Sequence, residues 1–275
     1  EVRATSAYFD EIPDGKPGVE FWLVQAGYLE EKFEDNEYSL LSYGVSRQQQ
    51  VWGDWQRTLF TNFKHENGFV EGEYVENRAS DSFYMAPGIS FSRVQADGGL
   101  QPVRGYKLSV DLEFSDPWIG SDTEYVRVLG QAKYLFSLSE RQQILLRSQA
   151  GMIWSDDFSQ VPVSVRFYAG GDQSIRGYDY NTLSPIDAGD ALVGGSRLLL
   201  GSAEYLFRVL PHWQAATFVD HGGALDETNH PLYTGAGVGV RWLSPVGNLS
   251  FDVAQALNGE REGKVRIHIT MGTVL

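Results

Sequence analysis

Polar and apolar residues alternate along almost the whole chain. In YKLSVDLEF (106–114), Tyr106, Leu108, Val110, Leu112 and Phe114 fall on one face, and Lys107, Ser109, Asp111 and Glu113 on the other. A helix would scatter these charges around its surface, whereas a period of two is that of a strand. In VRIHITM (265–271), Val265, Ile267, Ile269 and Met271 oppose Arg266, His268 and Thr270. In NLSFDVA (248–254), Leu249, Phe251 and Val253 oppose Ser250, Asp252 and Ala254. In YVRVLGQAKYLF (125–136), Arg127, Gln131 and Lys133 share a face away from Val126, Val128, Ala132, Tyr134 and Phe136. Further strands are predicted at 2–9, 21–31, 38–50, 55–66, 82–95, 142–154, 196–208, 213–220 and 233–243. That makes about thirteen strands of around ten residues, separated by turn signals such as PDGKPG (13–18), ADGG (96–99) and NGEREG (258–263). No helix, domain linker or low-complexity segment stands out.

Alternation alone fits a soluble sandwich with its apolar face inward or a membrane barrel with its apolar face outward. Length separates them, because soluble strands average five or six residues and a tilted bilayer-crossing strand needs about nine to eleven. Trp52, Trp55, Trp118, Trp154, Trp213 and Trp242, with Tyr28, Tyr134 and Tyr205, fall near predicted strand ends, as interfacial girdles do. Short turns at 138–141, 209–212 and 244–247 contrast with long polar loops at 67–81 and 155–195. These features predict an all-β fold, a transmembrane antiparallel barrel.

Composition agrees. Aromatics make up 13% of the 275 residues, with 30 glycines, and mean hydropathy is mildly negative at −0.27. A formal charge of −14 argues against nucleic acid as a partner, since phosphate binding needs a basic face. The absence of cysteine excludes disulfides and thiolate metal sites. No apolar run approaches the length of a membrane-spanning helix, and the first residues lack a signal-sequence pattern. The start is read as a mature or truncated N-terminus.

Little points to catalysis, and no enzyme activity, cofactor or metal is expected. His65, His212, His221, His230 and His268 are scattered without ligand spacing, and no G-x-S-x-G turn is present. His221 follows Asp220, but turn chemistry in VDHGG explains that pair equally well. In GAGVGVRW (235–242), Gly235, Gly237 and Gly239 alternate within a strand instead of opening a helix, so lumen-side close packing is expected there rather than nucleotide binding.

The segment AGGDQSIRGYDY (169–180) lies in a 41-residue connection, too long to be idle on a compact barrel. It could cradle a phosphate, form a surface turn, or plug the barrel and be pinned by its arginine. The aromatic, β-rich stretches VSVRFYAGG and IRGYDY do not suit a solvated loop. Arg176, followed by Gly177 and Tyr178, reads as an inserted side chain whose charge needs a carboxylate. Glu204 and Asp220, one on each of the next two strands, are the candidates. A second RGY at 104–106 heads a strand and lacks the Gly-Gly-acid lead (Gly170, Gly171, Asp172), so the tripeptide alone is not the motif.

At these residues the chain resembles the BamA/TamA superfamily of outer-membrane assembly barrels, on its TamA-like side. FYAGGDQSIRGYDYNTLSP resembles the signature loop, FVDHGGA the F-x-D-x-G strand, and TGAGVGVRWLSPVGNLSFDVA the following hairpin. DWQRTLF, RGYKLSVDLE and the final IHITMGTVL fit as well, over essentially the whole chain. The resemblance implies a sixteen-stranded barrel with the long loop folded into its lumen. Arg176 matches the motif arginine, Asp220 the F-x-D acid, and Glu204 the acid on the strand between. The function implied is ATP-independent insertion and folding of outer-membrane clients such as autotransporters at a seam between first and last strands. Residues 265–272 would be one lip. Lipid, unfolded clients and an inner-membrane-anchored partner reached through periplasmic POTRA domains are the implied partners. The pattern departs in one respect: about eight strands precede the signature loop where the family has eleven. The chain is therefore expected to be the C-terminal part of such a barrel, without its first strands and POTRA domains.

Overall fold

A computed structural model of the chain describes residues 3–10, 20–33, 36–70, 80–97, 102–187, 191–226, 231–244, 247–259 and 261–273. The predicted turn at 13–18, most of the loop at 67–81 and His230 lie outside the described residues. Thirteen strands form one antiparallel sheet in chain order: β1 Arg3–Asp10, β2 Glu20–Phe33, β3 Asn36–Gln50, β4 Gln56–Val70, β5 Ser80–Asp97, β6 Arg104–Ser115, β7 Tyr125–Ser139, β8 Gln142–Trp154, β9 Arg197–Leu210, β10 Trp213–Leu225, β11 Tyr233–Ser244, β12 Gly247–Ala256 and β13 Val265–Gly272. Every strand predicted from alternation is present, usually longer by a few residues at one or both ends. The only helical turns among the described residues are two 3₁₀ segments, Pro117–Ile119 and Phe158–Gln160.

Each strand pairs with its neighbours in sequence, so the backbone polar groups of β2 to β12 are satisfied between strands, as a lipid surround demands. The register carries the alternation from strand to strand, and the two faces differ sharply. Val24, Tyr43, Val110, Leu199, Val238 and Phe251 point outward and are exposed. Glu66, Glu113, Glu204, Asp220 and Asp252 point inward and are buried. A water-soluble protein has the opposite arrangement, so the sheet is an outer-membrane type of wall, apolar outside and polar within.

Connections at 51–55, 140–141 and 211–212 lie at one end of the wall, and those at 116–124 and 155–196 at the other. Trp52 marks the short-turn end, where Trp213 and Trp242 stack with centroids 6.1 Å apart. Exposed Trp118 and Trp154 mark the long-loop end. Tyr28 and Tyr134 sit inside their strands, and Tyr134 stacks on Tyr106 from the neighbouring strand. Among the described residues, β1 and β13 are the edges of the sheet and no pairing joins them.

The centre is filled by the β8–β9 connection. Its Val161, Val165, Phe167, Ala169, Ile175, Tyr178 and Leu183 pack with wall residues Tyr84, Tyr125, Ile153, Leu198, Leu200 and Ala256 in the largest buried cluster. Arg166 organises the loop internally, donating to the carbonyls of Val161, Val193 and Ser159 at 2.8 Å each. The loop also reaches the far wall. Ser164 hydrogen-bonds Glu66 of β4, Tyr168 packs edge-on against Phe33 of β2, and the Leu192 carbonyl accepts from Asn36 of β3 at 2.8 Å.

Candidate functional site

The loop turns at Gly170 and Gly171, whose φ angles of 103° and 90° belong to the left-handed region. The turn delivers Arg176 to the lumen faces of β9 to β12. Its Nε and one terminal nitrogen make a two-pronged bond to the Asp220 carboxylate at 2.8 and 2.9 Å, and its backbone N–H donates to the same group at 3.1 Å. The other terminal nitrogen donates to Glu204 at 3.1 Å and Asp252 at 3.0 Å. The guanidinium carbon lies 3.3 Å from the centroid of the Phe218 ring.

The structure thus places Arg176 against both carboxylates expected from the sequence, and against a third. Arg241 of β11 completes the arrangement, donating to Glu204 at 2.9 Å and to Asp252 at 2.5 and 3.1 Å. Arg147 of β8 lies 3.6 Å from Asp220 and donates to Ser202 at 3.1 Å. Three arginines face three carboxylates, and the cluster is formally neutral. That balance matters because Arg176, Glu204, Asp220, Arg241 and Asp252 are all at most 4% exposed, and an unpaired charge there would be very costly. Burial is the largest single influence and works against the charge on Arg176, but the hydrogen bond to Asp220 and the charges of Asp220, Glu204 and Asp252 together outweigh it and hold the guanidinium above its usual range.

Sequence reasoning missed Asp252, Arg241 and Arg147. All three stand on the polar face of an alternating strand, so the period was the available signal. It marks a residue as inward without saying which inward residues meet.

Next to Arg176, the Gly177 N–H donates to His268 Nε2 at 3.0 Å, and His268 Nδ1 contacts the Asp172 carboxylate. Gly177 has φ 97°, and a Cβ there would lie 2.7 Å from the Gln255 backbone. The buried Tyr178 hydroxyl lies 2.8 Å from the Asn258 carbonyl and 3.0 Å from that of Thr234. Asp179 contacts Arg261 and Arg266. Val265, Ile267, Ile269 and Met271 occupy the outer face of β13 and are 60 to 75% exposed. The loop is therefore bonded to the lumen side of the strand whose outer side is exposed and whose far edge has no partner among the described residues. His268→Ala removes the acceptor of a buried N–H, an expected loss of about 1–3 kcal/mol. Faster hydrogen exchange at the Gly177 amide, with β9 to β11 unchanged, is the readout.

Other candidate chemistry dissolves in the geometry. Asp220 points into the lumen while His221 points outward to Thr234 Oγ1 at 2.9 Å, so that pair cannot act together. Gly235, Gly237 and Gly239 lie within β11 on its lumen face, and no helix follows them. A Cβ on Gly235 would run into the Arg176 carbonyl, and one on Gly239 into Asp252 and Arg241.

A wall apolar outside, a charged interior and a long loop pinned inside define an outer-membrane β-barrel with an inserted loop. The family model described as the Omp85 superfamily domain matches residues 19–274, and the chain belongs to that superfamily. Its relatives include the outer membrane protein assembly factor BamA of Neisseria meningitidis, 28% identical over 86% of this chain and 34% of that protein. The BamA of Nitratidesulfovibrio vulgaris is 28% identical over 72% of this chain and 26% of that protein. The chain thus spans about a quarter to a third of the length of these curated relatives. Among solved structures, BamA from Haemophilus ducreyi lacking POTRA domains 1-3 superposes with a TM-score of 0.79 at 16% identity, covering 98% of this chain and 62% of that one. CdiB from Escherichia coli superposes at 0.67 with 14% identity, covering 99% and 53%. The protein is an integral outer-membrane barrel.

Proposed function

We propose that the chain is the C-terminal part of the barrel of an outer-membrane assembly factor, which inserts and folds client β-barrels such as autotransporters. The observation that carries this reading is the attachment of the inserted loop to β13, an edge strand that pairs with β12 on one side and has no strand on its other side among the described residues. An unpaired edge is a template for another strand, and adding a client strand there needs only backbone hydrogen bonds. Arg176, Gly177, Tyr178, Gly170, Gly171 and Asp172 form the latch on the loop. Glu204 and Asp220 hold it to the wall, and residues 265–272 form one lip of the seam.

The full protein is read as a sixteen-stranded barrel preceded by POTRA domains, working with lipid, unfolded clients and an inner-membrane-anchored partner. The combined motifs along the chain, the signature loop at 167–185 among them, are read as closest to the TamA-like side of the family, while the relatives named above are BamA proteins. Arg176→Ala in the full-length protein is expected to leave the folded barrel detectable while lowering autotransporter assembly about tenfold or more, the effect of roughly 1.4 kcal/mol on a coupled step. Assembly at the wild-type rate would sink the proposal. Loss of export of a single fused or neighbouring secreted protein, with other clients assembled normally, would make the barrel a dedicated exporter instead.

A further inference from the structure

The lumen faces of β6, β7 and β8 carry a line of positive charge that the loop leaves largely unused. Lys107 stands opposite Lys133 across β6 and β7, and Lys133 opposite Arg147 across β7 and β8. With strands about 4.8 Å apart, the row spans about 10 Å. Like charges directly opposite one another in a sheet repel, so the row has a cost that something should offset.

The described residues do not offset it. Neither Lys107 nor Lys133 has an ion pair or hydrogen bond among them. Arg147 reaches Asp220 at 3.6 Å, but that carboxylate already accepts three hydrogen bonds from Arg176. The Nε atoms of Arg147 and of Arg208, nearer the short-turn end, are buried without a partner. Lys133, Arg147 and Arg208 line a cavity of about 100 Å³, alongside the amides of Gln143, Gln214 and Asn248. Of the carboxylates bordering it, Glu204 and Asp252 are engaged by Arg176 and Arg241, and Asp172 by His268. The six-residue cluster is neutral, so Lys107, Lys133 and Arg208 remain as uncompensated cations inside a chain of net charge −14.

We propose that this row binds an acidic peptide segment entering the lumen on the short-turn side of the loop. Successive carboxylates would meet Lys107 and Lys133, and the partnerless Arg147 Nε, Arg208 Nε and Asn248 Oδ1 of the adjoining cavity would be available to the peptide. A row this long exceeds the reach of one small oxyanion, and lipid headgroups lie on the other side of the wall. The approach is electrostatic, so binding weakens as salt rises.

The test uses full-length protein in nanodiscs and fluorescein-labelled tetraglutamate, followed by anisotropy. Lys107→Gln/Lys133→Gln should weaken binding about tenfold or more, since two ion contacts of roughly 0.7 kcal/mol each amount to a factor of ten. Lys107→Arg/Lys133→Arg should stay within about threefold of wild type, because the charges remain. Lys264→Gln, on an exposed connection, should have no effect. Circular dichroism of each variant verifies the strand content, and removing a repulsion should not lower it. Equal binding by wild type and the glutamine double variant would overturn the proposal, as would loss of binding in the arginine variant. Complete displacement of the peptide by inorganic phosphate at the same charge concentration would overturn it in favour of a small-anion site. The readout is binding alone, so its failure is separate from failure of the assembly reading.

Discussion

Asp220→Ala is expected to destabilise the folded barrel by about 3–5 kcal/mol, the usual effect of removing one partner from a buried ion pair. Asp220 is fully buried and accepts the backbone N–H and two side-chain nitrogens of Arg176, with Arg147 also nearby. Its loss leaves three arginines facing two carboxylates where water cannot compensate. The excess charge is not local, because Arg176 shares Glu204 and Asp252 with Arg241. Removing Arg176 as well should restore much of the stability, since two arginines would then face two carboxylates. Urea midpoints of the two single variants and the double variant, measured in the same micelle, give the coupling. A coupling below about 1 kcal/mol would mean the pair behaves like an exposed salt bridge, contrary to its burial.

Gly235→Val is expected to expel the loop from its seat while leaving the wall intact. Gly235 sits in the middle of the lumen row, opposite Asp220 and Ala256, and a Cβ there would occupy the space of the Arg176 carbonyl. That neighbour is backbone held by four side-chain hydrogen bonds and one backbone N–H bond of the same residue and by the N–H bond of the next, so it cannot give way slightly. The strand itself tolerates valine well. The change should appear in proteolysis, because the Arg176–Gly177 bond suits trypsin and Arg176 is only 3% exposed. Cleavage should accelerate by about tenfold or more, as cleavage of a transiently opened segment tracks the population of the open form. Gly201→Ala is the control, since the nearest atom to a Cβ there is 3.9 Å away. Equal protection of Gly235→Val and wild type would mean the loop has a second seat.

These two substitutions also show where the sequence was readable. Gly235, Gly237 and Gly239 alternate in step with the strand, so their lumen placement and close packing could be expected. The identity of the packing atom, the Arg176 carbonyl, could not, because Arg176 and Gly235 are far apart in sequence and meet only when the loop folds back. Glu204 and Asp220 were legible for a different reason. A buried arginine demands carboxylates, and the next two strands each present one on the inward face. Asp252 carried the same signal, but need alone could not show that one arginine would be shared among three acids.

His268 was the weakest signal of all. As one of five scattered histidines it looked ordinary, yet it receives the Gly177 N–H and contacts Asp172. Nothing local to VRIHITM distinguishes that histidine from any polar residue on an inward face.

By itself, the sequence determined the thirteen strands, which face of each is polar, and the loop set apart from them. Strand period and backbone sterics are local properties, written within windows of about ten residues. Strand length and the placement of aromatics also indicated that the apolar faces point outward; only the tertiary structure decided which three acids share Arg176 and that the loop bonds the edge strand β13. Those outcomes depend on curvature and register summed over many strands and on a chain reversal that brings distant residues within hydrogen-bond range, and no short window contains them.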